Sequence, residues 1–342
     1  MEYPSLDTAK AGAIRFNTDS SQMEIYDGNQ WTKILGTSSE LQTGGTRGIL
    51  GAGSRPSPAT REIIQFGNLD TTGNFADFGD VTSQRSQVGG CASRTRGLFI
   101  AGFYSPTGTL NIIDYVTIAS TGDAIDFGDR SIKSTYAQAC SNGTRGVSLG
   151  GHQAPAPVNT MDYITIAQTG DAVDFGDLTQ ARHVSAAVAS PTRGVALGGY
   201  TPSYVDTMDY ITISTLGNAA DFGNLLTTCS INAACSNAIR GINSGGYGSS
   251  PNAYLNTIQY ITIATLGNAS DFGDLSALTG HQGGMSSRTR AVFAGGNVPG
   301  SYVNTIEYVQ IMTTGNAIDF GDLVDTANEG SATVSNGHGG LG

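Results

Sequence analysis

The chain has 342 residues, with 28 acidic against 17 basic side chains, a formal charge of −11 and 48 glycines. So acidic and cation-poor a chain is a bad partner for phosphate backbones and anionic membranes, and neither nucleic acid nor a membrane is expected as a partner. No apolar run is long enough to span a bilayer, and Met1 to Asp7 lacks a signal peptide's apolar core, so export by the general pathway is not expected.

The first forty residues read as a small β meander. Ala13 to Asn17, Gln22 to Tyr26 and Trp31 to Ile34 alternate apolar and polar residues, with turns at Thr18 to Ser21 and Asp27-Gly28-Asn29. A segment this short buries too little to be stable alone and has no disulfide or metal set. Phe16, Ile25, Tyr26 and Trp31 are therefore expected to form an assembly contact.

From residue 44 onward one pattern recurs six times: Thr-Arg-Gly, a Gly-Gly pair, an Asp-Tyr-Ile-Thr-Ile run and an Asp-Phe-Gly-Asp corner, most loosely in the first copy. The arginines are Arg47, Arg96, Arg145, Arg193, Arg240 and Arg290, and the corner phenylalanines Phe78, Phe127, Phe175, Phe222, Phe272 and Phe320. Both series step by 47 to 50 residues. In the fourth copy His183 to Ser190, Arg193 to Gly199, Thr207 to Ser214 and Ala219 to Leu225 read as four short strands, a to d. A period of this length without helical spacing predicts an all-β, six-bladed propeller over 44–342, with the meander over 1–43. Strand a of the first copy, Leu41 to Gly45, is poor in β-formers, whereas Gly330 to Gly337 matches Ala137 to Gly143 in type. The C-terminal strand is thus expected to complete the first blade and close the ring.

The Ala-rich strand a, the Gly-Gly end of strand b (Gly150-Gly151, Gly198-Gly199, Gly245-Gly246, Gly295-Gly296) and the strand c tyrosines (Tyr115, Tyr163, Tyr210, Tyr260, Tyr308) resemble the kelch repeat over about seven-eighths of the chain. The pattern departs in strand d, where the Phe of Asp-Phe-Gly stands in place of the usual Trp. These Asp-Phe-Gly-Asp repeats look like those of marine tailed-phage virion proteins, and the N-terminal meander resembles a short module of phage tail fibres. The resemblance implies a structural virion protein without enzymatic activity: a tail fibre or appendage that displays the propeller for host-receptor glycan binding. Its first segment would contact other virion proteins, with a trimer as the expected form. The alternatives are a capsid or tail decoration with a purely structural role, and a glycan-active or oxidising enzyme built on the propeller.

Little in the sequence points to catalysis. Kinases use one Asp-Phe-Gly with a glycine-rich loop and a strand lysine, which are missing here. The corner Asp174 and Asp221 are expected to pair with repeat arginines such as Arg145 and Arg193. Asp319 with Asp322 offers calcium too few oxygens, and no cofactor or metal is expected. His152, His183 and His281 fall in connections of different repeats and read as exposed loop residues; His338 completes the set. Cys91, Cys140 and Cys235 take the place of core apolar residues, which leaves Cys229 as the candidate for exposure. The b-to-c connections differ in length and content and read as variable loops on one face. There Tyr204, Tyr254 and Tyr302 take equivalent places, each followed two residues on by Asp206, Asn256 or Asn304. These six residues are the candidate glycan site.

Overall fold

The structure is a computed structural model that describes residues 10–17, 22–33, 46–54, 61–183, 186–249, 252–325 and 330–338. It divides into two compact units, Met1–Thr43 and Gly44–Gly342. Both are built of β-strands, with no helix among the described residues.

The first unit is an antiparallel sheet of Ile14–Asn17, Gln22–Tyr26 and Trp31–Lys33. Its second turn is held by Asp27, whose Oδ1 accepts the N–H groups of Gln30 and Asn29, both at 2.8 Å. These bonds, Gln30's first, lower the pKa of Asp27. Arg15 pairs with Glu24 at 2.7 Å and lies 4.3 Å over the Trp31 ring, which in turn sits 5.4 Å from Tyr26. Of the residues expected to form an assembly contact, Tyr26 is buried and Ile25 and Trp31 are half-buried. Exposure falls instead on Ile14, at 59%, and Met23, at 44%. The turn at Thr18 to Ser21, Ile34 and the Phe16 side chain lie outside the described residues.

Among its described residues the second unit contains six antiparallel sheets, each built around four strands, and one two-stranded hairpin. Sheet one joins Ala332–Ser335, Arg47–Gly51, Arg61–Asn68 and Ala76–Arg85. Sheet two holds Gly89–Ala92, Arg96–Tyr104, Gly108–Thr117 and Ile125–Asp129; sheet three holds Gln138–Ser141, Arg145–Gln153, Ala156–Thr165 and Val173–Asp177. Sheet four holds Ala186–Ala189, Arg193–Tyr200, Tyr204–Thr212 and Ala220–Asn224. Sheet five is Ala233–Ser236, Arg240–Ser244, Asn252–Thr262 and Ser270–Thr279, with short strands Cys229–Ser230 and Tyr247–Ser249 added. Sheet six is Gly283–Ser286, Arg290–Ala294, Thr305–Gln310 and Ile318–Asp322, beside the hairpin Asn297–Val298 and Ser301–Tyr302. The C-terminal strand does complete sheet one, with Val334 opposite Ile49; Leu41 to Gly45 lie outside the described residues.

The glycine motifs now have physical reasons. At Gly198-Gly199 the ladder shifts register, and both residues are left-handed, with φ of +54° and +129°. This bulge re-aims the hairpin without ending it, and pairing resumes at Gly199 opposite Val205 and continues to Tyr200 opposite Tyr204. The b-to-c segments read as loops are therefore largely continuations of the b–c ladder. At the corner, Phe222 is buried edge-on to Tyr210 at 6.3 Å, while Gly223, at φ +138°, packs against the backbone of Gly267 in the following sheet.

Hydrogen bonds link neighbouring sheets. The N–H groups of Gly122, Gly170, Gly217, Gly267 and Gly315 donate to the carbonyls of Phe78, Phe127, Phe175, Phe222 and Phe272, and Gly73 donates to Phe320 at 2.8 Å. The repeat arginines follow the same order. Arg145 lies 4.4 Å over the Tyr163 ring and donates to Ile213 O, and Arg290 donates to Leu69 O. The predicted pairing with Asp174 and Asp221 is thus wrong: both aspartates are exposed on the edge strand, where water solvates them. The buried ion pairs are instead Arg85–Asp114, Arg130–Asp162 and Arg182–Asp209, at 2.8, 2.9 and 2.7 Å. Each apolar cluster lies between neighbouring sheets; Leu149, Met161 and Phe175 of sheet three, for example, pack with Ala196 and Ile211 of sheet four.

Candidate functional site

The first strands of the six sheets lie side by side. Their hydroxyls tie four of the neighbouring pairs: Ser141 donates to Ala92 O, Ser236 to Ala189 O, Ser286 to Ser236 O and Thr333 to Gly284 O, all at 2.8 Å. Together they surround a cavity of about 130 Å³. At one rim the chain enters these strands through left-handed residues, Gln87, Tyr136, Ile231, His281 and Gly330, with φ between 52° and 63°. Past the opposite end of the strands sits His338, whose Nε2 lies 3.0 Å from Ala92 O and 3.4 Å from Ser141 Oγ. Burial lowers its pKa to about 4, against the opposing bond to Ala92.

An unbroken chain of rings leads outward from the rim. Tyr136 stacks on His183 at 5.2 Å and an interplanar angle of 7°. His183 meets His152 at 4.8 Å and Tyr200 at 5.6 Å. Tyr200 then meets Tyr204 at 5.3 Å, Tyr204 meets Tyr247 at 5.8 Å, and Tyr247 meets Tyr254 at 5.3 Å. All seven are half-buried, so each ring keeps part of its surface in water. Burial, and next the charge of His152, lowers the pKa of His183 to about 4, which keeps its ring neutral at physiological pH. Burial also raises the pKa of Tyr204. The belt is an aromatic strip on an acidic molecule.

No protein-family model matches this chain, and no curated protein matches it. Its chemistry has to be read from its own residues.

The geometry brings together two of the three predicted tyrosines. Tyr204 and Tyr254 share the belt through Tyr247, and Tyr302 stands in the next hairpin, opposite Asn297. Asp206 and Asn304 are tied into the fold, since their carbonyls accept the N–H groups of Leu225 and Leu323 just past the corners. Asn256 is half-buried at the equivalent position. The histidines were misjudged as separate and exposed: His152 and His183 touch, and His281 lies on the cavity rim. Cys229 is fully buried, contrary to expectation, while Cys91, Cys140 and Cys235 are buried free thiols as expected. Burial pushes the thiol of Cys140 up to about 12, far from nucleophilic. Among the described residues no group of three or more His, Cys, Asp or Glu could hold a metal ion.

Sequence reasoning missed Tyr136, Tyr200 and Tyr247. For the last two a signal existed, because each directly follows a Gly-Gly pair, and the bulge sets that position opposite the next strand's Tyr204 or Tyr254.

Proposed function

We propose that the six sheets are the blades of a kelch-like β-propeller closed by Ala332–Ser335, and that this propeller is the glycan-binding part of a tailed-phage particle. Closure is supported by the pairing of Ala332–Ser335 with Arg47–Gly51 and by the bonds from Gly73 and Arg290 that join sheets six and one. Binding rests on one observation, the aromatic belt from Tyr136 to Tyr254. Sugar rings carry apolar C–H faces that stack on aromatic rings, and a half-exposed strip of them is a surface for such contacts. Placement in a tail fibre or appendage rests on the resemblance of the repeats and of the N-terminal module. That module is then the contact to other virion proteins, and trimerisation through it would multiply weak sites by about 10²–10⁴ in avidity.

The test is a Tyr204→Ala/Tyr254→Ala variant of the full chain, applied with the parent to an array of bacterial surface polysaccharides. The parent should bind a subset, and the variant, still melting cooperatively, should lose at least tenfold in retention. Equal retention would remove the belt as the binding surface.

A further inference from the structure

The aromatic belt is long, bent and fixed in place, and each property narrows the ligand it fits. From Tyr136 to Tyr254 it takes five ring-to-ring steps of 5.2 to 5.8 Å. Each step is close to the length of one pyranose, so a single sugar covers one or two rings and leaves the others in water. Beyond the first step the ring planes turn by 58°, 64°, 44° and 87°. No flat object lies on all of them at once. A ligand that follows the belt has to be jointed, with rotation about a bond at every unit.

The backbone sets this path. Past the Gly-Gly bulges the strands pair in short rows, His183 with Tyr200 and Tyr204 in sheet four, and Ser230 with Tyr247 and Tyr254 in sheet five. Rings at paired positions are held by the ladder, so little freedom is lost when a ligand covers them. Both ends of the belt are anchored. Tyr136 is left-handed, at φ +52°, and its N–H donates to Gln87 O at 3.2 Å. The Tyr254 ring rests against Gly280, where a Cβ would stand 2.8 Å from it. The next row begins at that Gly280 and carries Asn297 where Tyr200 and Tyr247 stand, so the series of middle-strand rings ends there.

We propose that the belt binds an internal stretch of a linear, soluble polysaccharide, a free chain laid from Tyr136 to Tyr254 with one sugar for each step. This rests on the glycan-binding reading above and names the form of the glycan. Each sugar added to a bound chain meets its ring as an intramolecular event, so affinity grows with length until the belt is full. A chain terminus fills one end and gains little. The flat face of a packed, crystalline polysaccharide touches only the rings that share its plane.

Isothermal titration calorimetry on the full chain tests this with the polysaccharide best retained on the array, cut by mild acid into size-sorted fragments of two to ten sugars. Affinity should rise at least tenfold between two and six sugars and level off by ten, and the uncut polymer should carry several protein molecules per chain. Tyr136→Asn, chosen because Asn tolerates a left-handed backbone, and Tyr254→Ala stand at opposite ends of the belt. Each, still melting cooperatively, should weaken the ten-sugar fragment at least fivefold. Ile239→Ala, exposed on the a-to-b turn at the other end of sheet five, should change nothing. Affinity independent of length, one protein molecule per polymer, loss in only one of the two end variants, or tighter retention on crystalline cellulose than on any soluble polysaccharide would overturn the proposal. Loss in both tyrosine variants without dependence on length would leave the belt reading standing and dismiss the extended chain, whereas no retention anywhere on the array would dismiss both.

Discussion

Arg182 and Asp209 are both inaccessible to solvent, and the guanidinium also donates to Gly198 O at 3.0 Å. Removing one partner strands the other charge, so Asp209→Ala should cost about 3–5 kcal/mol in chemical denaturation. Sheet five suggests the remedy. At the equivalent places it carries Cys229 and Gln259, and the Gln259 side chain accepts the Leu226 N–H at 2.8 Å, the neutral counterpart of Asp209 with Thr179. The double variant Arg182→Cys/Asp209→Gln should therefore recover most of the loss, which a double-mutant cycle measures. None of this was legible in the sequence, because a lone Asp inside Asp-Tyr-Ile-Thr-Ile gives no sign that its partner arrives from the preceding repeat's connection. The histidines hold a second residue-scale consequence. Folded-state pKa values near 4 for His183 and His338 lie below the ordinary 6.5, so the unfolded chain takes up protons first as pH falls. Their contribution is whole above pH 6.5 and lost towards pH 4. The fall in Tm between pH 7 and 4.5 should shrink in His183→Gln/His338→Gln; an identical fall would show that carboxylates alone set it.

At the scale of the element, the recurring corner was the most legible feature, and its glycine explains why. Gly176 has φ +140°, and a Cβ there would stand 2.5 Å from Gly217 O in the next sheet. Gly176→Ala should cost on the order of 2–4 kcal/mol, from left-handed strain and a clash with backbone that cannot retreat. Gly170, whose Cβ would meet nothing within 4 Å, is the control: Gly170→Ala shares the strain without the clash and should cost less. Strand existence and the buried Phe of each corner could be read from spacing. The hairpins past each Gly-Gly pair could not, because Thr201, Pro202 and Ser203 between Tyr200 and Tyr204 carry the composition of a loop while the bulge restores pairing beyond it. The aromatic belt is legible only in part for the same reason: its members come from adjacent sheets and from both sides of each bulge.

At the scale of the molecule, the six sheets share the load through the clusters between them, and sheet one depends on Val334, which is 4% exposed within the first cluster. A chain ending at residue 331 should lose many degrees of Tm and expose the edge of Arg47–Gly51, read as a gain in dye binding and in aggregation. An unchanged melt would mean that this strand is not needed. Light scattering on the full chain and on residues 41–342 should give a trimer and a monomer if the first unit carries assembly; two monomers would count against it. The pairing of the C-terminal strand with Arg47–Gly51 was readable from the repeat, because a matching strand type at Gly330 to Gly337 answered the missing one before Arg47.

That same closing strand also sets the order of events in time. The bond from Arg47 N–H to Asn336 Oδ1 joins residues 289 apart in the chain. Loop closure costs only about (3/2)RT ln n, yet the chain between must first be ordered, and topologies rich in such distant pairings fold slowly. As the chain leaves the ribosome, sheets two to five can assemble on one another while Arg47–Gly51 waits with a free edge. For that interval the strand that finishes the molecule competes with any Ala332–Ser335 on a neighbouring copy, so crowding on a polysome favours exchange of this strand between chains.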